Sequence, residues 1–198
     1  MTTDAVLDAA ADAIDAGKLV VYPTETVYGL GADALDPQAV GEVYAAKGRP
    51  RDNPLSLATP SVSTALEYVT ADDWEVSFMR QFLPGPVTVV CEKRPVVPDE
   101  LTAGRDRVGI RVPDHDVARQ LLERTHPITA TSANLTGHPS VRHPRDLDEA
   151  LRDRAAVVID AGEAPGTEST VVDVGQRTII RRGAQATEIE QWLQQIPE

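Results

Sequence analysis

A single cysteine, Cys91, occurs in the 198 residues of the chain. That excludes an intrachain disulfide and any zinc site built on cysteines. Lysine is almost as scarce: Lys18, Lys47 and Lys93 are the only ones, so arginine carries nearly all of the positive charge. No apolar run approaches the length needed to cross a bilayer, and the first residues lack the apolar core of a secretion signal. The expectation is a soluble, cytoplasmic protein with no membrane association. No Gly-x-Ser-x-Gly elbow marks a hydrolase serine, and no Gly-Lys-Ser/Thr ending marks a P-loop. His115, His126, His138 and His143 are scattered without metal-ligand spacing and read as surface or capping residues. Internal repeats and low-complexity linkers are also lacking.

What is present is acid: 31 Asp and Glu against 19 Lys and Arg give a formal net charge of −12. A protein that coats nucleic acid would be basic, and a hydrated acidic surface of this kind suits a salty cytoplasm. Against that background one stretch runs the other way. Lys47-Gly48-Arg49-Pro50-Arg51-Asp52-Asn53-Pro54-Leu55 packs three cations and an amide into seven residues, stiffened by two prolines and a glycine. Cations concentrated on a stiff turn, against the global sign, point to a local demand for a polyanion such as the phosphates of a nucleotide.

The length fits one domain with a proper core, spanning 1–198 with its core at about 5–185. Residues 4–16 read as a helix with Val6, Ala9, Ala10, Ala13 and Ile14 on one face, Thr2 or Thr3 as cap and Gly17 as stop. Lys18 to Tyr22 is a strand, followed by a hydroxyl- and glycine-rich loop over 23–31. Asp36 caps a helix with Pro37 in its first position, a buried stripe of Val40, Val43 and Tyr44, and Lys47 at its end. Residues 55–58 form a strand, 61–69 and 72–82 two helices, and 87–91 a strong strand after the Pro84-Gly85-Pro86 break. Residues 95–104 are irregular. The alternation over 107–112 gives a strand with arginines on one face. Pro113-Asp114 starts a helix to about Arg124, and 128–130 is a short strand. A helix over 144–152, a strand over 155–159, a hairpin of 168–173 with 178–181, and a last helix over 186–195 complete the chain. Strands alternating with helices predict an α/β fold: a single-domain, twisted, open, mixed parallel/antiparallel sheet flanked by helices.

Polar segments recur at the predicted strand ends, where α/β sheets bind ligands. They are the loop at 23–31, the turn at 47–53, Arg107 and Arg111, Thr131 to Asn134, Ser140, Ser169 with Thr170, and Arg181 with Arg182. Arginines and small hydroxyls, with no covalent nucleophile among them, suit a site that positions phosphates and stabilises charge.

The ordered strings of these segments resemble the YrdC family of threonylcarbamoyl-AMP synthases. They are Pro23-Thr24-Glu25-Thr26-Val27-Tyr28-Gly29-Leu30-Gly31, Lys47-Gly48-Arg49-Pro50 with Asp52-Asn53-Pro54-Leu55, Pro84-Gly85-Pro86-Val87-Thr88 and Val108-Gly109-Ile110-Arg111-Val112-Pro113. Ser132-Ala133-Asn134-Leu135-Thr136-Gly137 and Glu168-Ser169-Thr170-Val171-Val172-Asp173 complete the series. The family pattern Lys-x-Arg, followed distantly by Ser-x-Asn, is complete in Lys47, Arg49, Ser132 and Asn134.

The resemblance implies an enzyme joining L-threonine, bicarbonate and ATP into threonylcarbamoyl-AMP with release of pyrophosphate. The product supplies a downstream tRNA threonylcarbamoyltransferase complex that modifies adenosine 37 of tRNA, with weak tRNA contact also implied. Lys47 and Arg49 take the catalytic positions and, with Asn53, meet the ATP phosphates and the reacting carbamate. Ser132, Asn134, Ser140 and Arg181 help hold the nucleotide, and Arg107 stands beside it where the family often has a small hydroxyl. Thr26, Arg111, Ala130 and Ser169 line the threonine pocket, Arg111 pairing with the carboxylate. Mg²⁺ comes with the triphosphate, held largely by phosphate oxygens and water; no protein metal site is expected.

Three departures accompany the resemblance. Ser56-Leu57-Ala58 replaces a segment in which many relatives carry a histidine near the threonine pocket, and Leu83 stands where tryptophan is common. The sequence also stops near residue 198, so the expectation is that the C-terminal domain of longer relatives, with any lid it provides, is missing. Three other readings stand beside the synthase: an RNA-binding or ribosome-maturation factor on the same fold, an adenylating carbamoyltransferase of the hydrogenase-maturation type, and a non-catalytic paralogue. The acidity weakens the first, the length and lone cysteine the second, and the intact four-residue pattern the third.

Overall fold

The computed structural model of the chain describes residues 4–196. Its strands fall into two ladders. The smaller has three strands: β1 (Leu19–Tyr22) lies between antiparallel β2 (Gly29–Gly31) and parallel β8 (Ala155–Val158). The larger runs β10 (Thr178–Arg181), β9 (Thr170–Asp173), β5 (Val87–Lys93), β6 (Arg107–Arg111), β3 (Ser56–Ala58), β7 (Ile128–Ala130), with β4 (Val69–Thr70) paired to β5. Here β5 with β9 and β3 with β6 are parallel, and the remaining pairs are antiparallel. Single bridges, Gly29 to Ser132 and Asp33 to Ile128, join the two ladders. The expected mixed sheet is thus present, divided at the seam that these bridges cross.

Helices cover both faces, and the apolar periodicity explains which side each buries. Helix α1 (Asp4–Asp15) turns Leu7, Ala10, Ala11 and Ile14 inward. There they pack with Leu121 and Leu122 of α6 (Asp116–Leu122), and with Tyr22 and Ile128, in the smaller of two core clusters. Helix α2 (Pro37–Lys47) buries Val40, Val43 and Tyr44 in the larger cluster, which also takes Phe78 of α4 (Asp73–Phe82) and Ile189 of α8 (Ala186–Leu193). Helix α4 is held at its start by reciprocal bonds: the Asp72 carboxylate accepts from the Glu75 N–H at 2.8 Å, and the Glu75 carboxylate accepts from the Asp72 N–H at 3.0 Å.

Several local expectations are corrected. The helix over 61–69 is cut to α3 (Val62–Ala65), because Val69 and Thr70 pair with Lys93 and Glu92 instead. Residues 95–104 contain a short helix, α5 (Asp99–Thr102). Gly29–Gly31 is strand rather than loop. The helix over 144–152 divides into a 3₁₀ turn (Pro144–Asp146) and α7 (Glu149–Arg154), with a fresh cap where the Asp148 carboxylate accepts from the Ala150 N–H at 2.9 Å. Asp114 is not the cap of α6: His115 occupies that position without a side-chain cap bond, and the Asp114 N–H donates to Glu25 Oε1 at 3.0 Å. Ala9 faces solvent, and Leu7 and Ala11 take its expected place inside. The proposed caps Thr2 and Thr3 lie outside the described residues.

Candidate active site

A cleft of about 710 Å³ opens where the two ladders meet. Its floor is made by β3, β5, β6 and β9, its roof by the 23–29 and 130–132 segments, and its two lips by the 49–55 turn and the β10 end. At the centre of the floor a Cβ on Gly109 would lie 2.5 Å from Ser56 Oγ and 2.9 Å from Thr88 Cγ2, so the depth of the cleft there depends on glycine.

The first lip is built by the end of α2. Gly48 takes the left-handed conformation, φ 57°, and the Arg49 N–H returns to the Tyr44 carbonyl at 3.0 Å, a C-terminal closure that glycine adopts without strain. The chain then doubles back through Pro50 to Pro54. The carbonyls of this turn hold the guanidinium of Arg49: Nε donates to Asn53 O at 2.9 Å and Nη2 to Pro54 O at 2.8 Å. Tyr44 Oη also donates to Asn53 O, at 3.1 Å. Arg49 and Asn53 both line the cleft, and among the described residues no carboxylate pairs with Arg49.

Lys47 is the last residue of α2, as expected. It is 2 % exposed and is not on the cleft wall. Its ammonium donates to the Ser132 carbonyl and, at 2.7 Å, to the Asn134 carbonyl. Burial, with Arg49 adding a smaller push, brings its pKa down to about 8. Asn134 is likewise behind the wall: its Oδ1 accepts from Ser132 Oγ, and its Nδ2 donates to Leu135 O at 2.9 Å and His138 O at 2.7 Å. Of this expected group only Ser132 reaches the cleft; Lys47 and Asn134 fix the loop that carries it.

At the opposite end Arg111 is 6 % exposed. Its Nη1 donates to the carbonyls of Gly85 and, at 3.1 Å, Val87, and its Nη2 donates to Glu25 Oε1 at 2.8 Å, with Thr26 Oγ1 at 3.5 Å. Burial lowers the Arg111 pKa and the neighbouring Glu25 opposes that fall. Among the described residues the second carboxylate oxygen of Glu25 is buried without a hydrogen-bond partner. Thr26, Ala130, Arg111 and Ser169, the four expected threonine-pocket residues, all line this cleft. Ser56 faces Ala130 across the β3–β7 pair, and the roof is tied down by Gly166, whose N–H donates to Thr26 O at 2.7 Å.

On the far lip Arg181 donates to Ser169 O at 2.8 Å and Ser169 Oγ at 3.0 Å and pairs with Glu168 at 3.3 Å. The other Glu168 oxygen accepts from Ser140 Oγ at 2.8 Å. Ser140 does not touch the cleft directly, and Glu168 links it to Arg181. Arg107 lines the floor, but its charge is already met: Nη2 donates to Asp173 at 2.9 Å, Val90 O at 2.8 Å and Glu75 at 3.4 Å. Burial pushes the Glu75 carboxyl up against the pull of Arg107. Three participants escaped the sequence reading: Glu25, Glu168 and Arg105. Glu25 and Glu168 stand inside strings already quoted, yet nothing in their spacing shows which arginine each meets. Among the histidines, His143 caps the 3₁₀ turn through Nδ1, His115 caps α6 by position, and His126 and His138 are exposed.

Among the described residues no cluster of three or more His, Cys, Asp or Glu is arranged to hold a metal ion, and no helix is long and apolar enough to cross a membrane. The cleft can bind an anion at one end and a carboxylate-bearing molecule at the other, with a hydroxyl-rich middle.

Comparison with known proteins identifies the family. The sequence model of the Sua5/YciO/YrdC family, described as "Telomere recombination", matches residues 12–183. A threonylcarbamoyl-AMP synthase of Pyrococcus abyssi is 45 % identical over 169 residues, covering 83 % of this chain and 49 % of that protein. One of Bacillus subtilis is 40 % identical over 176 residues, covering 86 % and 51 %. A crystal structure of P. abyssi Sua5 complexed with L-threonine superimposes with a TM-score of 0.90 at 40 % identity, covering 96 % of this chain and 58 % of that one. The chain spans about half the length of these curated relatives. It belongs to the Sua5/YciO/YrdC family.

Proposed function

We propose, from that membership and from the cleft, that the protein is a nucleotidyltransferase making threonylcarbamoyl-AMP from L-threonine, bicarbonate and ATP in the cytoplasm. The product would supply a transferase complex acting on adenosine 37 of tRNA. The observation that carries the reading is the polarity of the cleft: Arg49 faces it with no carboxylate partner among the described residues, whereas the buried Arg111 lies at the other end among Thr26, Ala130 and Ser169.

In this reading the amine of threonine takes up bicarbonate to give a carbamate, with loss of water. A carbamate oxygen then attacks the α-phosphorus of ATP, the bond to the β-phosphate oxygen breaks, and pyrophosphate leaves. The substrates supply the nucleophile, so the protein contributes position and charge stabilisation. Arg49 and Asn53 hold the phosphates, Ser132 and Arg181 the nucleotide, and Arg111 the threonine carboxylate in competition with Glu25. Lys47 and Asn134 act through the loop that presents Ser132, and Ser140 acts through Glu168. Mg²⁺ fits as an ion carried by the triphosphate, because two of the three cleft carboxylates, Asp173 and Glu168, already answer Arg107 and Arg181 and leave Asp106, phosphate oxygens and water as the ligands. Bound there, it would neutralise charge on the departing phosphates.

The test is pyrophosphate release from ATP and bicarbonate with and without L-threonine, at low and high salt. Release that requires threonine is the expected result. A folded protein releasing none under any condition overturns the reading.

A further inference from the structure

Arg105 is exposed, lines the cleft beside Arg49, and takes no part in the scheme above. Two consecutive left-handed residues, Ala103 at φ 55° and Gly104 at φ 73°, turn the chain out of α5 just before it. Ala103 is not glycine, so the turn is held in a conformation that costs energy for an ordinary side chain. The flanking backbone is fixed as well. Leu55 N–H donates to Leu101 O at 2.9 Å on one side, and Lys93 N–H donates to Asp106 O at 2.9 Å on the other. The result is that Arg105 Nη2 donates to the Asp52 carbonyl at 3.1 Å.

Arg49 and Arg105 are therefore anchored on consecutive stretches of one turn, Asp52 to Pro54, by neutral carbonyl oxygens alone. Among the described residues neither pairs with a carboxylate. The other arginines of the cleft all do: Arg107 with Asp173 and Glu75, Arg111 with Glu25, Arg181 with Glu168. In a chain of net charge −12, two guanidinium groups held on neighbouring carbonyls of one turn, and ion-paired to no described carboxylate even though Asp106 also lines the cleft, mark a place prepared for more than one negative charge. Arg51 does not join them, since its guanidinium lies over the Tyr44 ring at 5.2 Å.

We propose that Arg105 binds the terminal phosphates of the nucleoside triphosphate, and so the pyrophosphate as it leaves, while Arg49 meets the phosphates nearer the reacting centre. This deepens the reading of the site as an ATP-dependent synthase and rests on it. Arg105 discriminates a triphosphate from a monophosphate and makes no contribution to holding the nucleoside.

The test is calorimetric titration of the whole protein with ATP, AMP and inorganic pyrophosphate, comparing wild type, Arg105→Ala and Arg105→Lys. Removing one charge-assisted hydrogen bond weakens binding about 10- to 100-fold. A weakening of that size is expected for ATP and pyrophosphate with Arg105→Ala, with AMP binding unchanged, the melting temperature unchanged, and partial recovery with Arg105→Lys. Unaltered ATP and pyrophosphate binding overturns the assignment, as does an equal weakening for AMP. Wild-type protein that is folded and binds none of the three ligands overturns the ATP reading itself, an outcome distinct from either.

Discussion

The two ends of the cleft use arginine in opposite ways. At the Arg111 end the guanidinium is buried, wrapped by the Gly85 and Val87 carbonyls and matched by Glu25. At the Arg49 end the guanidinium groups rest on carbonyl oxygens and face the opening without a carboxylate. A buried ion pair contributes less net stability than its geometry suggests, but removing one partner leaves an uncompensated charge and is strongly destabilising. A solvent-facing arginine held only by carbonyls contributes little to the fold and keeps its charge for a ligand. The difference separates an arginine whose charge the fold already answers, so that a ligand must compete for it, from one whose charge is left to the ligand.

Mutation at each end tests the contrast. Arg49→Ala is expected to cut turnover at least ~10²-fold, the effect of losing one charge-stabilising donor, with the thermal midpoint nearly unchanged. A stopped assay of pyrophosphate release beside a melting curve reads both, and normal turnover would dissolve the distinction. Glu25→Gln should do the reverse first, lowering stability by about 2 kcal/mol. That is below the full value for a broken buried pair because Glu25 is 16 % exposed and glutamine keeps one acceptor. Urea unfolding measures it, and an unshifted midpoint would show that Arg111 does not depend on Glu25.

Lys47 belongs to neither end and sharpens the comparison through pH. Its pKa is near 8 in the folded protein and at the ordinary lysine value when unfolded. Between those two values the unfolded chain binds more protons, so this group makes stability rise as pH increases from about 8 toward 10.5. Below that window both states are protonated and the cost of burying the charge is constant. The expected result is that wild type gains on Lys47→Met in stability from urea unfolding between pH 7.5 and pH 10, by about 2 kcal/mol, a margin comparable with the Glu25 effect. A constant difference across the window would show that the folded-state proton is not held as loosely as burial requires.

Much of this architecture is legible in the order of residues alone. Asp36 and Pro37 start α2 as their chemistry dictates, with the Asp36 carboxylate accepting from the Gln38 N–H at 2.9 Å. The polar strings at strand ends converge on one cleft, as an α/β arrangement requires. What stays hidden depends on partners far away in sequence. Val69 leaves helix because the backbone of Lys93 pairs with it, and the Arg94 Nε donates to its carbonyl at 2.9 Å. Arg111 and Glu25 are 86 residues apart, and no local pattern joins them. Lys47 reads as a phosphate ligand from its neighbours in the chain, and only the packing of the 132–134 loop over it shows an ammonium enclosed by carbonyls.

Gly109 carries a consequence for how such a protein can change over generations. A Cβ there meets Ser56 and Thr88 on both neighbouring strands, so every replacement adds an atom where two strands already touch. The rim arginines Arg49 and Arg105 are held only by side-chain bonds to carbonyl oxygens, so replacing either costs binding or turnover without moving a strand. At Gly109 any side chain must displace Ser56 and Thr88 on the two neighbouring strands, which makes the deepest point of the cleft its slowest to evolve.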